Sequence, residues 1–260
     1  MRVYILTGTT RGLGRAMAQS VIDAGDHLLS LSRSPDKREP AWHNVECDLT
    51  DAHHVAAKMR RLLGSISLEK ADELVLINNA GILAPMGPVE DASDEQIVRH
   101  LLVNQAAPII LVREFVMATD GLGAQRRIIN ISSGAARHAY AGLAMYCASK
   151  AALDMITACV AAEQASRQNP VVICSISPGK VETGMQRTIR RFDGAKFPAR
   201  PDFVKAHRQG ELNTPEDAAR RILALDRSGR LKNGGIYDLR SVGELAGGQA
   251  IGSIPPLQER

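Results

Sequence analysis

Short apolar runs alternate with helical patterns along most of the chain. Val3 to Thr7 is a continuous apolar run stopped by Gly8, as in a strand buried on both faces. A helical stretch then continues to Ala24 and closes on Gly25. His27 to Leu31 predicts a second strand, Asp51 to Leu63 a helix, and Glu73 to Ile77 a third strand. Asp94 to Ala118 carries one long apolar helical pattern, followed by strands over Arg127–Ile131 and Val171–Ile176. Between those strands, Ala151 to Glu163 is rich in alanine and free of Gly and Pro, which predicts a helix. Thr214-Pro215-Glu216-Asp217 marks a helix start, with a capping hydroxyl, proline at the first position and acids in the first turn. Gly235 to Leu239 predicts a last strand.

Strands alternating with helices imply an α/β fold, a doubly wound parallel sheet of about seven strands with helices on both faces. With no repeat and no linker, residues 1–260 read as one domain. Two segments depart from the alternation. Residues 184–210 are polar, basic and without a clear period, as in a lid over a substrate. Residues 247–260 are rich in Gly, Pro and Ser and read as a mobile tail.

Composition removes several function classes. Thirty-two basic against 28 acidic residues leave a charge of only +4, and no basic block is interleaved with aromatics, so nucleic acid is not an expected partner. The four cysteines, Cys47, Cys147, Cys159 and Cys174, lack any CxxC spacing, and His53-His54 lacks a ligand spacing, so neither disulfides nor a metal is expected. The first strand begins at once, and no apolar run looks long enough to span a membrane. A cytoplasmic, non-membrane protein is the expectation.

The chemistry lies where strands end, which is where open parallel sheets bind ligands. Gly8, Gly12 and Gly14 follow the first strand and open a helix, a loop that lets backbone approach a pyrophosphate. Their spacing is GxxxGxG rather than the commoner GxGxxG. The second strand ends in Ser32-Arg33, with no acid to repel a 2′-phosphate, and Arg11 sits in the glycine loop. Tyr146 and Lys150 lie four apart, on one face of a helix. A nearby ammonium favours a phenolate, so the pair suits proton exchange with a carbonyl or alcohol. Alone, the pair is weak evidence.

Taken together, the motifs resemble the classical short-chain dehydrogenases/reductases over nearly the whole chain. The matches are Thr7 to Gly14, Asp48-Leu49, Asn78-Asn79-Ala80-Gly81, Asn104, Ser133, Tyr146 with Lys150, and Pro178-Gly179 followed by Thr183. The resemblance implies a Rossmann-type fold and catalysis by Asn104, Ser133, Tyr146 and Lys150. In it Ser133, thirteen residues before Tyr146, is preferred to Ser132 and bonds the substrate carbonyl. Tyr146 donates the proton. Lys150 holds the nicotinamide ribose and lowers the tyrosine pKa. Asn104 positions a water and disturbs its helix. NADP(H) is implied as cofactor. Its expected contacts are Gly8, Thr10, Arg11, Gly12, Leu13, Gly14, Ser32, Arg33, Asp48, Leu49, Asn79, Ala80, Gly81, Pro178, Gly179, Val181 and Thr183, with Tyr146 and Lys150.

Two short segments, Ser177 to Gln186 and Gly235 to Arg240, resemble sepiapterin reductases and bacterial benzil reductases. The expected substrate is therefore a small carbonyl compound, an aromatic diketone or a pterin side-chain ketone. A 3-oxoacyl thioester reductase and an NADPH-binding redox sensor are the alternatives. Arg137, His138 and Tyr140 follow Ser133 on a loop expected to face the substrate, and Cys147 reads as a packed small residue. The seven Lys/Arg of the lid could meet an anionic substrate, but a solvated loop accounts for them as well. Ala151, Ala152, Met155, Ala158, Cys159 and Ala162 make an apolar stripe on the Tyr146 helix, which with 101–112 predicts a homodimer or homotetramer.

Overall fold

The computed structural model describes residues 1–34 and 42–241. Seven strands form one parallel sheet: β1 (Arg2–Thr7), β2 (His27–Ser32), β3 (Trp42–Glu46), β4 (Glu73–Asn78), β5 (Gln125–Ile131), β6 (Val172–Ser177) and β7 (Ile236–Asp238). Their order is β3-β2-β1-β4-β5-β6-β7. The order reverses between β1 and β4, which opens a crevice beyond their carboxyl ends.

Eight α-helices connect and flank the strands among the described residues: α1 (Gly12–Asp23), α2 (Ala52–Leu63), α3 (Asp94–Leu101), α4 (Ala107–Ala118), α5 (Ala144–Gln164), α6 (Gly184–Arg191), α7 (Arg200–Arg208) and α8 (Pro215–Arg227). Because side chains alternate along a strand, β1 feeds both layers of core. Tyr4 and Leu6 pack with Met17 of α1 and Ile222 of α8. Val3 and Ile5 face the other way, with Met59 of α2 and Phe115 of α4. All four strand residues are fully buried, which is why the run is apolar without a break. The Thr214 hydroxyl accepts the Asp217 amide at 3.0 Å and starts α8 as its sequence implies.

Three details differ from expectation, and one, the interrupted helix at Asn104, follows what the resemblance implies. β3 is an additional edge strand, and its Trp-His-Asn-Val-Glu composition hides it because only Trp42 is buried. The helix over 94–118 is divided by a π-helical turn, Leu102–Ala106, around Asn104. Segment 184–210 is not irregular but carries α6 and α7. Finally, Asp94–Ala118 and Ala144–Gln164 are long and apolar enough, by length and composition, to cross a membrane. Both are crossovers that follow β4 and β5 in the sheet and pack against it. Residues 247–260 lie outside the described residues.

Candidate active site

The glycine loop is held by backbone crowding. A side-chain carbon on Gly14 would stand 2.1 Å from the Gly8 carbonyl and 2.5 Å from Asn79 Nδ2, so only glycine fits. Gly8 has φ +74° and its missing side chain leaves room for Ala80. The end of β4 is tied to this loop. The Thr7 hydroxyl accepts the amides of Asn79 and Ala80, both at 3.0 Å, and Asn79 Nδ2 donates to the Thr7 carbonyl at 2.9 Å. Arg11 precedes α1 without capping it by its side chain. The first N–H groups of α1 therefore lack a side-chain cap and face the crevice, as an anion would require. Thr10 and Arg11 are exposed there, Leu13 is buried, and Thr183 from the start of α6 stands over Gly12. This cradle fits a dinucleotide pyrophosphate.

At the second strand end, Ser32 is buried, with its hydroxyl turned to the Ser34 carbonyl and the Asn44 side chain at 3.3 Å. It therefore faces β3 rather than the crevice. Arg33 is exposed. Asp48 is exposed too, and its Oδ1 accepts the Thr50 amide and hydroxyl at 2.9 Å. Those bonds, with a smaller contribution from the Arg33 charge, hold its carboxyl below the ordinary range, and Leu49 beside it is buried.

Ser133, two residues past β5, has extended backbone and heads a single 3-10 turn, its Oγ accepting the Ala135 amide at 3.2 Å. Tyr146, from the first turn of α5, lies near enough to Ser133 for that side chain to act on its hydroxyl. Lys150, one turn on, donates from Nζ to the Ile131 carbonyl at 2.8 Å and stands 5.8 Å from the Tyr146 ring centroid. Their protonation departs from the expected direction. Burial pushes the Tyr146 hydroxyl above its usual pKa, only partly opposed by Ser133. Burial also pulls the Lys150 ammonium down to about 8. Desolvation exceeds the attraction between the pair, because the ammonium is directed at a carbonyl rather than at the phenol. Tyr146 thus rests in the protonated form, the state a proton donor needs.

Asn104 is buried in the π-helical turn. Four residues later comes Pro108, which has no N–H for the Asn104 carbonyl. The Asn104 side chain clamps Ile82 by both backbone groups at 2.8 Å. A side chain on Gly81 would meet Asn104 Oδ1 at 3.3 Å and Lys150 Nζ at 3.7 Å, so these two groups converge on one glycine.

Two participants escape sequence reasoning. His100 is fully buried, with Nδ1 at 2.7 Å from the Ala84 carbonyl and Nε2 at 3.0 Å from both Asn104 Nδ2 and Ser149 Oγ. Burial lowers its pKa, so it stays neutral and fixes the Asn104 amide. Its one signal was the four-residue spacing to Asn104. Asp154, buried one turn beyond Lys150, pairs with Arg137 at 3.3 Å. Its signal was an acid in the middle of an apolar helix.

An apolar and aromatic cluster takes in Tyr146. The chain has one Trp, four Tyr and four Phe. Three of the phenylalanines (Phe192, Phe197, Phe203) and two of the tyrosines (Tyr140, Tyr146) gather in one cluster with Leu83, Leu143 and Ile189. Phe203 meets Tyr140 edge-on at 6.0 Å and Phe197 at 5.6 Å. Cys147 packs in the same cluster. Some charges of segment 184–210 anchor it to its surroundings, while Arg187, Arg191, Lys205 and Arg208 are exposed. Arg190 grips Glu182 with two bonds of 2.7 and 2.9 Å, and His207 approaches the same carboxylate at 3.2 Å. Lys196 reaches Asp91 at 2.7 Å. Pro178 and Gly179 follow β6, Gly179 with φ +75°, and Val181 bridges to Asn213 at the root of the lid.

The short chain dehydrogenase family model matches residues 2–194, and the chain belongs to that family. It is 36% identical over 230 residues to a benzil reductase ((S)-benzoin forming) of Bacillus cereus, covering 85% of this chain and 92% of the relative. It is 27% identical over 252 residues to sepiapterin reductase of Bos taurus, covering 90% and 92%. The KRED1-Pglu enzyme has a similar crystal structure, with TM-score 0.77 and 25% identity over 91% of this chain and 100% of that one. The protein is thus an oxidoreductase of this family, acting on carbonyl or alcohol groups.

Proposed function

We propose that the protein is an NADPH-dependent reductase of aromatic ketones or diketones, with Tyr146 as proton donor. The aromatic cluster that takes in Tyr146 carries this reading. A chain with only nine aromatic residues places five of them, Tyr146 included, in one cluster. Stacked or edge-on rings are what such a cleft offers a flat aromatic substrate.

Bound NADPH supplies the hydride. The chain's residues do the rest. Ser133 bonds the carbonyl oxygen, Tyr146 passes its proton to that oxygen as charge develops, and Lys150 stabilises the phenolate left behind. Asn104 and Gly81 hold open the space beside Lys150 through which the proton is replaced. Arg33 and Arg11 meet the 2′-phosphate. Two charge-assisted contacts at the exposed end of the range give a preference for NADPH over NADH of about a hundredfold, of which Arg33→Ala removes about tenfold.

The exposed side chains Val98, Ile109, Met117 and Met155, with Cys159 and Ala151, leave an apolar face on α3, α4 and α5. We assign it to a homodimer or homotetramer in the cytoplasm, and light scattering at micromolar concentration checks the assembly. The testing experiment is NADPH oxidation across benzil, a pterin ketone, a 3-oxoacyl thioester and simple quinones. Fast turnover of benzil supports the proposal, and turnover of the thioester alone contradicts it. Cofactor binding with no turnover of any carbonyl substrate would revive a sensor.

A further inference from the structure

Beyond the catalytic residues, one arginine is fixed beside the cleft with a donor to spare. β7 ends in Asp238, which is 2% exposed. The Arg240 guanidinium folds back onto it, with Nε at 2.9 Å from Oδ1 and Nη2 at 2.6 Å from Oδ2. Its stem lies across Gly179, where a side-chain carbon would stand 3.4 Å from Cγ. Nη2 would stand 3.6 Å from a side-chain carbon on Gly134, the residue after Ser133. The fork therefore spans the two turns on either side of the Ser133 site. Among the described residues Nη1 has no partner, and the side chain is 59% exposed. Tyr140, of the aromatic cluster, lies near enough to feel its charge.

We propose that Arg240 selects substrates with a second oxygen next to the reacting carbonyl, and that its Nη1 donates a hydrogen bond to that oxygen. The inference rests on the reading of Tyr146 as a ketone reductase. Three observations carry it. The guanidinium is locked by two bonds, so the two free N–H groups of Nη1 are held in a fixed plane and little ordering is lost when an acceptor arrives. It borders the residue that holds the reacting oxygen, so an acceptor attached to the adjacent carbon falls within reach. The third is charge balance. Arg137 lies 3.3 Å from Asp154 and 3.7 Å from Asp238, so the Arg240 guanidinium, paired with Asp238, has its own buried carboxylate beside it even with Lys150 near Asp154. With its charge already matched, Arg240 presents a directional donor rather than a net positive field. That suits the neutral oxygen of a vicinal dicarbonyl better than a free carboxylate. A monoketone in the same cleft leaves Nη1 to water.

The test compares benzil, deoxybenzoin (the same two rings with one oxygen removed) and benzoylformate, in wild-type protein and in Arg240→Ala and Arg240→Gln. Arg240→Ala is expected to lower kcat/KM for benzil about tenfold, the lower end for a hydrogen bond from a charged donor at a half-exposed site. Deoxybenzoin should change less than about twofold on the same scale, and NADPH affinity should hold, which separates lost recognition from lost folding. Arg240→Gln keeps an N–H donor without the charge and should recover part of the benzil activity. Equal losses on benzil and deoxybenzoin, or no loss on benzil, overturn the proposal. A loss confined to benzoylformate assigns Arg240 to carboxylates and overturns it as well. Wild-type protein that reduces none of the three overturns the ketone reductase reading first, and this inference with it.

Discussion

Around the Gly8–Gly14 loop the close contacts involve backbone groups, met by the Thr7 hydroxyl and the Asn79 amide, whereas under α6 and α7 rings and apolar side chains pack on one another. The Gly8 carbonyl, the Asn79 and Ala80 amides and the α1 N-terminus set the shape of the first region. Phe197, Phe203, Tyr140 and Ile189 set the second. A backbone-built site takes any ligand with the right phosphates and tolerates little change. A side-chain-built site can be altered residue by residue while the chemistry at Tyr146 stays in place. On the proposed reading, one region holds the cofactor and the other decides the substrate.

The contrast breaks most sharply at Gly14. Any side chain there collides with the Gly8 carbonyl, and backbone cannot rotate away as a side chain can. Gly14→Ala is expected to abolish NADPH binding, measured by quenching or enhancement of cofactor fluorescence. Binding within about threefold of wild type would show that the loop is looser than its contacts imply.

Phe203→Ala should act on the other region alone. Loss of its ring contacts is expected to raise KM for an aromatic diketone about tenfold, in keeping with the energy of aromatic pairs. NADPH affinity should stay unchanged, and steady-state kinetics with each ligand varied separately reads both. A parallel loss in both would mean that the lid also carries the cofactor.

The smallest expected effect lies at the joint between the regions, Lys150. Burial places its pKa at about 8 in the cofactor-free protein. Below that pH the ammonium is charged and able to hold a ribose hydroxyl, and above it the charge is lost. The profile of kcat/KM for NADPH, which reports the free enzyme, should therefore fall as pH rises through 8. The same shift makes stability rise between about pH 8 and the ordinary lysine pKa, since the unfolded chain still binds the proton there. A flat alkaline limb to pH 10 in both measurements would contradict the burial of Lys150.

The same division decides what the sequence discloses. The glycine loop, Asn79 to Gly81 and the Tyr146–Lys150 pair are local patterns, because backbone turns and helix faces depend on neighbours in the chain. The parallel sheet was legible for a similar reason, since strands buried on both faces are apolar throughout. β3 was not, because an edge strand with one buried residue leaves no periodic trace. α6 and α7 were hidden by their many charges, of which Arg190 serves Glu182 while Arg187, Arg191, Lys205 and Arg208 are exposed. The aromatic cluster draws on segments from Leu83 to Phe203, and only folding reveals that they meet. The Tyr146 pKa was misjudged because charge pairing is visible in spacing and desolvation is not.

The most direct test of the account is Tyr146→Phe, which keeps the ring in the aromatic cluster and removes the proton. With NADPH and an aromatic ketone, kcat should fall by about 10²–10⁴, the usual worth of general-acid catalysis, while the Kd for NADPH stays within about twofold. A Tyr146→Phe protein with near-normal kcat would contradict the assignment of Tyr146 as the proton donor.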